Sequence, residues 1–193
     1  MYAQHDLIWK AAANLLSASR FVLASLWLAA YATGNRRPGL MGPIALAAAA
    51  SDFADGRLAR HAGSPDRCGR WLDAVADIAF ILAALSCEAR AGSIPAYIPV
   101  LISLSFTQYA LDSVLILGSS APIASRLGHW AGALNYILVI TLAFAPPPRQ
   151  PGRLIRRAAP LIGILYIASM IERALNYWQI LKQPRGKTNA VKD

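Results

Sequence analysis

Six apolar segments of about 20 residues, separated by short polar runs, constrain the fold of this chain more than any other feature. A helix of about 20 apolar residues crosses the roughly 30 Å hydrocarbon core of a bilayer. The separating runs GNRRPG, HAGSPDRCG, AGSIP, GSSAP and PPPRQPG are rich in glycine and proline, which interrupt helices. We therefore predict an all-α polytopic membrane protein with six transmembrane helices, at 14–32, 39–59, 70–91, 95–117, 124–145 and 158–181.

The composition agrees with a single membrane domain over residues 1–193. Hydrophobic residues make up 56% of the chain and charged residues only 15%, which is too apolar for an ordinary soluble domain of this length. Residues 1–12 have mixed polarity, and Tyr2, Ile8 and Trp9 could lie at head-group depth, so we expect a short interfacial helix there. Residues 183–193 form a short basic tail.

The basic residues predict contact with anionic lipid and an anionic substrate. A formal net charge of +9 in a soluble chain would suggest nucleic acid, but in a membrane protein we expect no nucleic-acid partner. The basic residues of the loops slightly favour cytoplasmic termini, although RLIRRA before the last span opposes this topology. Cys68 and Cys87 match no metal or redox spacing, and we expect them to be unpaired.

Five of the ten acidic residues lie in residues 52–77, within sequence that otherwise resembles membrane helix. A carboxylate costs roughly 2.5 to 3.5 kcal/mol at the bilayer centre, so a cluster needs partners or bound cations. Asp52 and Asp55 are three residues apart and Asp73 and Asp77 four apart, so each pair shares a helix face, and a short hairpin would bring the faces together. Four carboxylates without His or Cys predict two Mg²⁺ or Mn²⁺ ions and phosphoryl chemistry.

Three residues next to the first aspartate pair suit a phosphate ligand. Gly56 has no side chain where a ligand could approach the backbone, and Ala59 keeps the same region narrow. Arg60 offers a planar set of five donors for phosphate oxygens.

The same segment resembles the signature of the CDP-alcohol phosphotransferases, D(x)2DG(x)2AR(x)8G(x)3D(x)3D. The matching residues are Asp52, Asp55, Gly56, Ala59, Arg60, Gly69, Asp73 and Asp77. Upstream, NLLSASR is similar to the N(x)2T(x)2R pattern often seen at the start of the first span, with Ser in place of Thr. The resemblance covers nearly the whole chain and implies six transmembrane helices in a homodimer.

The resemblance also implies a role for each motif residue. Asp52, Asp55 and Asp73 would bind two divalent cations, and Asp77 would be both a ligand and the general base. The donor would be a CDP-linked alcohol, usually CDP-diacylglycerol, with its cytidine against the Gly56 and Ala59 region while Arg60 helps hold its diphosphate. The residues assigned to the CDP-lipid are Gly56, Ala59, Arg60, Asn14, Ser17, Arg20 and Gly69. Asp77 would take a proton from the acceptor hydroxyl, whose oxygen attacks the phosphorus bearing the diacylglycerol, and CMP leaves.

The acceptor is less clearly marked. Glycerol 3-phosphate is our leading acceptor, with inositol phosphate, serine or another alcohol as alternatives. The candidate acceptor-binding residues are Arg126, His129 and Arg173. Relatives that make phosphatidylglycerol phosphate often carry an Arg-Glu pair in helix four and a GK(x)KT run in helix five. This chain instead has SFTQYALDS and GHWAG there.

Other polar residues of the spans have structural interpretations. Asp112 and Glu172 could form an interior network that balances Arg20 and Arg173. Asn135 and Tyr136 in the fifth span could form hydrogen bonds to other helices.

A different class of protein remains open, in which the carboxylates form a non-catalytic divalent-cation site or serve a small transporter. Gly56, Ala59 and Arg60 argue against it, because ion passage needs no nucleotide pocket. An intramembrane prenyltransferase also uses aspartates and Mg²⁺, but its two motifs lie far apart and its bundle is larger. We expect the protein in a bacterial cytoplasmic (inner) membrane, with its active site facing the cytoplasm.

Overall fold

The fold is a bundle of six helices. A computed structural model describes residues 2–61, 67–117, 126–145 and 153–182, and no strand occurs among them. The helices are α1 (Tyr2–Ala32), α2 (Pro38–His61), α3 (Arg67–Arg90), α4 (Tyr97–Leu117), α5 (Arg126–Phe144) and α6 (Arg153–Lys182). The all-α class and the number of long helices are confirmed, and the ends of α2 to α6 lie within five residues of the predicted ones.

The first helix differs from the prediction. Tyr2–Ala32 is one continuous helix, so the prediction of a separate short helix over residues 1–12 is wrong. The intervening sequence KAAANLL contains neither glycine nor proline and is rich in the strong helix formers alanine and leucine, so nothing ends the helix there. The interfacial position of its first turns stays a prediction. The basic tail, 183–193, lies outside the described residues.

Two helices of the described chain are long and apolar enough to cross a bilayer. They are Ile8–Ala32 within α1 and Arg157–Gln179 within α6, and Trp130–Phe144 is a shorter apolar helix. The helices α2 and α3 carry the charges of the aspartate motif, which interrupt their apolar runs. The number of helices is therefore confirmed, and the number of membrane spans only in part.

The packing places α1 between α2 and α3. Helix α1 packs along both of them, whereas α2 and α3 hardly touch each other. The prediction that the hairpin alone brings the two aspartate faces together is therefore incomplete, because α1 lies between those faces. In the second half of the chain α4 packs on α6, and α5 contacts α2, α3 and α6. Helix α5 thus joins the two halves of the bundle.

Candidate active site

The four motif aspartates surround one arginine of α1. The Arg20 side chain is fully buried, and its Nη1 lies 3.1 Å from Asp52 Oδ1 and 3.4 Å from Asp77 Oδ1. Its Nη2 lies 2.5 Å from Asp73 Oδ1 and also donates to Asp55 Oδ2. One guanidinium cannot balance four ionised carboxylates, so the arrangement favours additional cations.

Helix geometry explains why these side chains meet. Residues three or four apart share a helix face, so α2 presents Asp52 and Asp55 toward α1, and α3 presents Asp73 and Asp77. Arg20 extends from α1 between the two pairs. The expectation that Asp112 and Glu172 balance Arg20 is therefore wrong, because those residues lie on α4 and α6, away from the α1 interface.

Three of the aspartates meet the geometric requirement for a shared cation. Asp52, Asp55 and Asp73 each offer one oxygen, and the three oxygens lie within 4.8 Å of one another. Asp55 is 4% exposed, but the side chains of Asp52 and Asp73 are 43% and 48% exposed, which leaves room for water or phosphate oxygens. This all-oxygen donor set fits Mg²⁺ or Mn²⁺. Asp77 lies outside the triad, to which Arg20 connects it.

A small cavity of about 60 Å³ adjoins the aspartates. It is lined by Ala13, Asn14, Ser17, Asp55, Gly56, Gly69, Arg70 and Asp73. Ser17 Oγ donates a hydrogen bond of 2.8 Å to Asp55 Oδ2. Four residues predicted to bind the CDP-lipid therefore lie together beside the carboxylates. The sequence analysis missed Arg70, although its position between the motif glycine and the third aspartate was a usable signal.

The comparison with known families agrees with this geometry. The family model described as CDP-alcohol phosphatidyltransferase matches residues 10–177, which include Arg20, the four aspartates and the whole cavity lining. The chain belongs to the CDP-alcohol phosphatidyltransferase family. No curated protein and no solved structure matches it. Family membership implies transfer of a phosphatidyl group from a CDP-alcohol to an acceptor, in association with a membrane and with a divalent metal ion.

Four of the predicted site residues have side chains outside the described part of the structure. The backbones of Ala59 and Arg60 belong to the last turns of α2. Those of Arg126 and His129 belong to the first turn of α5. Their roles stay predictions. Both cysteines, Cys68 and Cys87, are free, as predicted.

Arg173 lies in a second polar cluster of the protein, between α4 and α6. Its Nη1 donates a hydrogen bond of 2.8 Å to the Ser105 carbonyl oxygen, and its guanidinium lies 5.4 Å from the centre of the Tyr109 ring. The centres of the Tyr109 and Trp71 rings are 6.2 Å apart, and Trp71 is two residues before Asp73. The structure therefore does not bring Arg173 into the aspartate cluster but connects it to that cluster through two aromatic rings.

The prediction of hydrogen bonds from α5 to other helices is confirmed at both residues. Tyr166 on α6 donates to Asn135 Oδ1 at 2.7 Å, and Tyr136 donates to Asp77 Oδ1 at 2.5 Å. The partner of Tyr136 is one of the motif aspartates, which the sequence analysis did not foresee. No sequence spacing relates the two, because they are 59 residues apart.

Proposed function

We propose that this protein is an integral membrane enzyme that transfers a phosphatidyl group from CDP-diacylglycerol to the hydroxyl of a small alcohol and releases CMP. One observation carries the proposal: the four motif aspartates converge around Arg20, beside a cavity lined by the two motif glycines. Such a site suits a diphosphate held by cations, because carboxylates bind the metal ions while phosphate oxygens complete their coordination.

Each residue of the site then has a chemical task. Asp52, Asp55, Asp73 and Asp77 hold two Mg²⁺ or Mn²⁺ ions, which when bound neutralise the diphosphate and the leaving CMP. Asp77 also accepts the proton of the acceptor hydroxyl. The oxygen of that hydroxyl forms a bond to the phosphorus bearing the diacylglycerol, and the bond from this phosphorus to the CMP oxygen breaks with its electron pair on CMP.

An arginine and small residues hold the donor. Arg60 binds the diphosphate with Asn14 and Ser17 of α1, and the narrow region at Gly56, Ala59 and Gly69 accepts the nucleotide. Arg20, which was predicted to contact the CDP-lipid, is fully buried among the four aspartates and supports this site by orienting them. Ser17 supports this assignment because it contacts both Asp55 and the cavity.

The placement in the membrane is part of the proposal. All six helices cross the bilayer, and the outward apolar side chains of the bundle face lipid. Leu15, Leu46, Val100, Ile137 and Leu161 are between 48% and 74% exposed and lie on five different helices. A soluble surface rarely carries so many large apolar residues in contiguous patches. We propose a homodimer in a bacterial inner membrane with the aspartate site facing the cytoplasm.

The acceptor is proposed to bind between the aspartates and helices α4 to α6. Arg173 supports this location, since Tyr109 and Trp71 connect it to α3. Arg126 and His129 begin the helix that also supplies the hydrogen bond to Asp77. Glycerol 3-phosphate is the leading acceptor, because arginines bind phosphate well. Inositol phosphate, serine and other alcohols are the alternatives.

The test is an assay of the purified protein with Mg²⁺ or Mn²⁺, CDP-diacylglycerol and a panel of acceptors, following CMP release and the lipid product. We expect product with one acceptor class and a loss of at least about 100-fold in kcat for Asp77→Asn. No CMP release with any acceptor, or full activity of Asp77→Asn, would overturn the proposal. An unchanged acceptor KM in both Arg126→Ala and Arg173→Ala would overturn the proposed acceptor site alone.

A further inference from the structure

We infer that Tyr136 is a positioning residue for Asp77, an inference that rests on the proposed role of Asp77 as general base. The Tyr136 hydroxyl donates to Asp77 Oδ1 with an oxygen-to-oxygen distance of 2.5 Å. The tyrosine is buried, and the ionised carboxylate can only accept, so the phenol is the donor. This hydrogen bond connects α5 to the aspartate that would remove the proton.

The hydrogen bond fixes which carboxylate oxygen is available. Oδ1 of Asp77 receives both the Tyr136 hydroxyl and, at 3.4 Å, Arg20 Nη1, and these are its two hydrogen bonds within the described chain. The Asp77 side chain is one-third exposed, at 33%, so the carboxylate is also accessible from outside the protein. With Oδ1 held, Oδ2 is left to accept the proton of the acceptor hydroxyl. A general base must lie within about 2.6 to 3.2 Å of the group it deprotonates, so its orientation matters.

Packing holds the tyrosine ring independently of its hydroxyl. The ring stacks on Phe80 with centroids 6.3 Å apart and an interplanar angle of 17°. Phe80 in turn meets the edge of Trp27 at 6.0 Å, and both of these side chains are fully buried. The variant Tyr136→Phe therefore keeps the aromatic stack and removes only the hydrogen bond.

The position of Tyr136 on α5 gives the hydrogen bond a functional meaning. In the described part of the chain, Asp52, Asp55 and Asp73 receive their hydrogen bonds from α1, whereas Asp77 also receives one from α5. The first turn of helix α5 contains His129, seven residues before Tyr136 in the sequence. The tyrosine thereby couples the orientation of the base to the helix on which the proposed acceptor site begins.

The experiment compares Tyr136→Phe with Tyr166→Phe in steady-state kinetics, using CDP-diacylglycerol and the acceptor that gives the highest wild-type rate. Tyr166 is a matched control, since it is buried and its hydroxyl also donates between helices, at 2.7 Å to Asn135 Oδ1 and at 3.5 Å to the Ala131 carbonyl oxygen, but not to an aspartate. We expect kcat to fall about 10- to 100-fold in Tyr136→Phe, because small misplacements of catalytic groups have effects of this size. We expect both KM values to stay within about twofold of wild type, as for a group that acts only in the transition state.

Binding of Mn²⁺, followed by electron paramagnetic resonance without substrate, is the readout independent of activity. We expect the same Mn²⁺ affinity in wild type and Tyr136→Phe. Weaker Mn²⁺ binding would assign the hydroxyl to the metal site and overturn the positioning role. A wild-type kcat in Tyr136→Phe, or an equal loss in Tyr166→Phe, would overturn the inference and leave the proposed function standing. If the wild-type protein releases no CMP with any acceptor, the inference and the proposed function fail together.

Discussion

Two arginines organise the two halves of the bundle, Arg20 fully buried and Arg173 half-buried, and their surroundings differ. Arg20 contacts four carboxylates supplied by α2 and α3. Arg173 contacts a carbonyl oxygen of Ser105 and the face of Tyr109. Asp112 and Glu172 lie near enough to Arg173 for electrostatic interactions, but no ion pair joins Arg173 to Asp112 in the described structure. The first arginine forms direct ion pairs with four carboxylates, whereas the second interacts with its acidic neighbours only over a longer distance.

The polar atoms left without partners show the same difference. Among the described residues, four buried atoms with no hydrogen bond lie on α4 or α6, Gln108 Oε1, Asp112 Oδ2, Ser113 Oγ and Arg173 Nε, and those of the first half include Trp27 Nε1, away from the aspartates. Around Arg20, all four carboxylates are engaged, and only its Nε is unpartnered. Buried polar atoms usually have partners, so a group of unpartnered atoms suits a region where a polar ligand binds. The contrast agrees with a preassembled donor and metal site beside an acceptor region that a ligand completes.

The largest expected effect concerns the carboxylates around Arg20. Asp55→Asn should lower kcat by about 1,000-fold or more and weaken Mn²⁺ binding, since it removes a buried ligand of the triad. The matched control is Asp112→Asn, an aspartate of the other cluster, which should leave Mn²⁺ affinity unchanged. Kinetics and Mn²⁺ titration of both variants make the measurement. Equal loss of Mn²⁺ affinity in both would show that the two clusters are not distinct.

The second prediction compares the arginines directly. In the presence of chelator, Arg20→Gln should destabilise the protein by about 3 kcal/mol, because it leaves the buried Asp55 and the three partly exposed carboxylates beside it without their cation. Arg173→Gln should cost about 1 kcal/mol, the size of a hydrogen bond to a neutral acceptor. Added Mg²⁺ should recover part of the loss in Arg20→Gln, since the ions neutralise the same carboxylates, and should not affect Arg173→Gln. Thermal unfolding in detergent, with and without Mg²⁺, measures both. A loss in Arg20→Gln that Mg²⁺ leaves unchanged would contradict the shared use of these carboxylates.

The two regions also differ in how far the sequence predicted them. The aspartates could be found because their spacing of three and four residues is a helix-face pattern within one short segment. The helices were predictable from apolar runs and proline-rich breaks. The position of Arg20 among the aspartates was not, since it depends on α1 packing between α2 and α3. Tyr136 was placed on an interhelical contact, but its partner lies on a helix far away in sequence, and no local pattern identifies such a partner.

The contact between the halves gives the third prediction. A Cβ at Gly42 of α2 would lie 2.6 Å from Cζ of Phe144 on α5, closer than such atoms can approach. The Phe144 ring is 50% exposed and must move outward by more than the Tyr97 ring would, so Gly42→Ala should destabilise the protein by about 1 to 2 kcal/mol. Gly39→Ala, in the same helix with nothing within 4 Å, is the control and should be neutral or slightly stabilising. Thermal unfolding of both variants is the measurement. Equal stabilities would mean that the Phe144 ring moves aside at little cost and does not hold α5 against α2.

The smallest expected effect lies within the second half. A Cβ at Gly163 of α6 would lie 3.3 Å from Cε2 of Tyr97, at the start of α4. Tyr97 is 41% exposed, so its ring can shift outward, and Gly163→Ala should cost less than about 1 kcal/mol. Thermal unfolding of Gly163→Ala and Gly42→Ala, measured side by side, shows which variant loses more stability. A larger loss for Gly163→Ala would show that α4 and α6 are held more rigidly than the contact between the halves. If the acceptor region between α4 and α6 closes around its ligand, Gly42→Ala must be the more destabilising of the two variants. In that case α4 and α6 can adjust to the ligand while the contact between α2 and α5 keeps the donor site assembled.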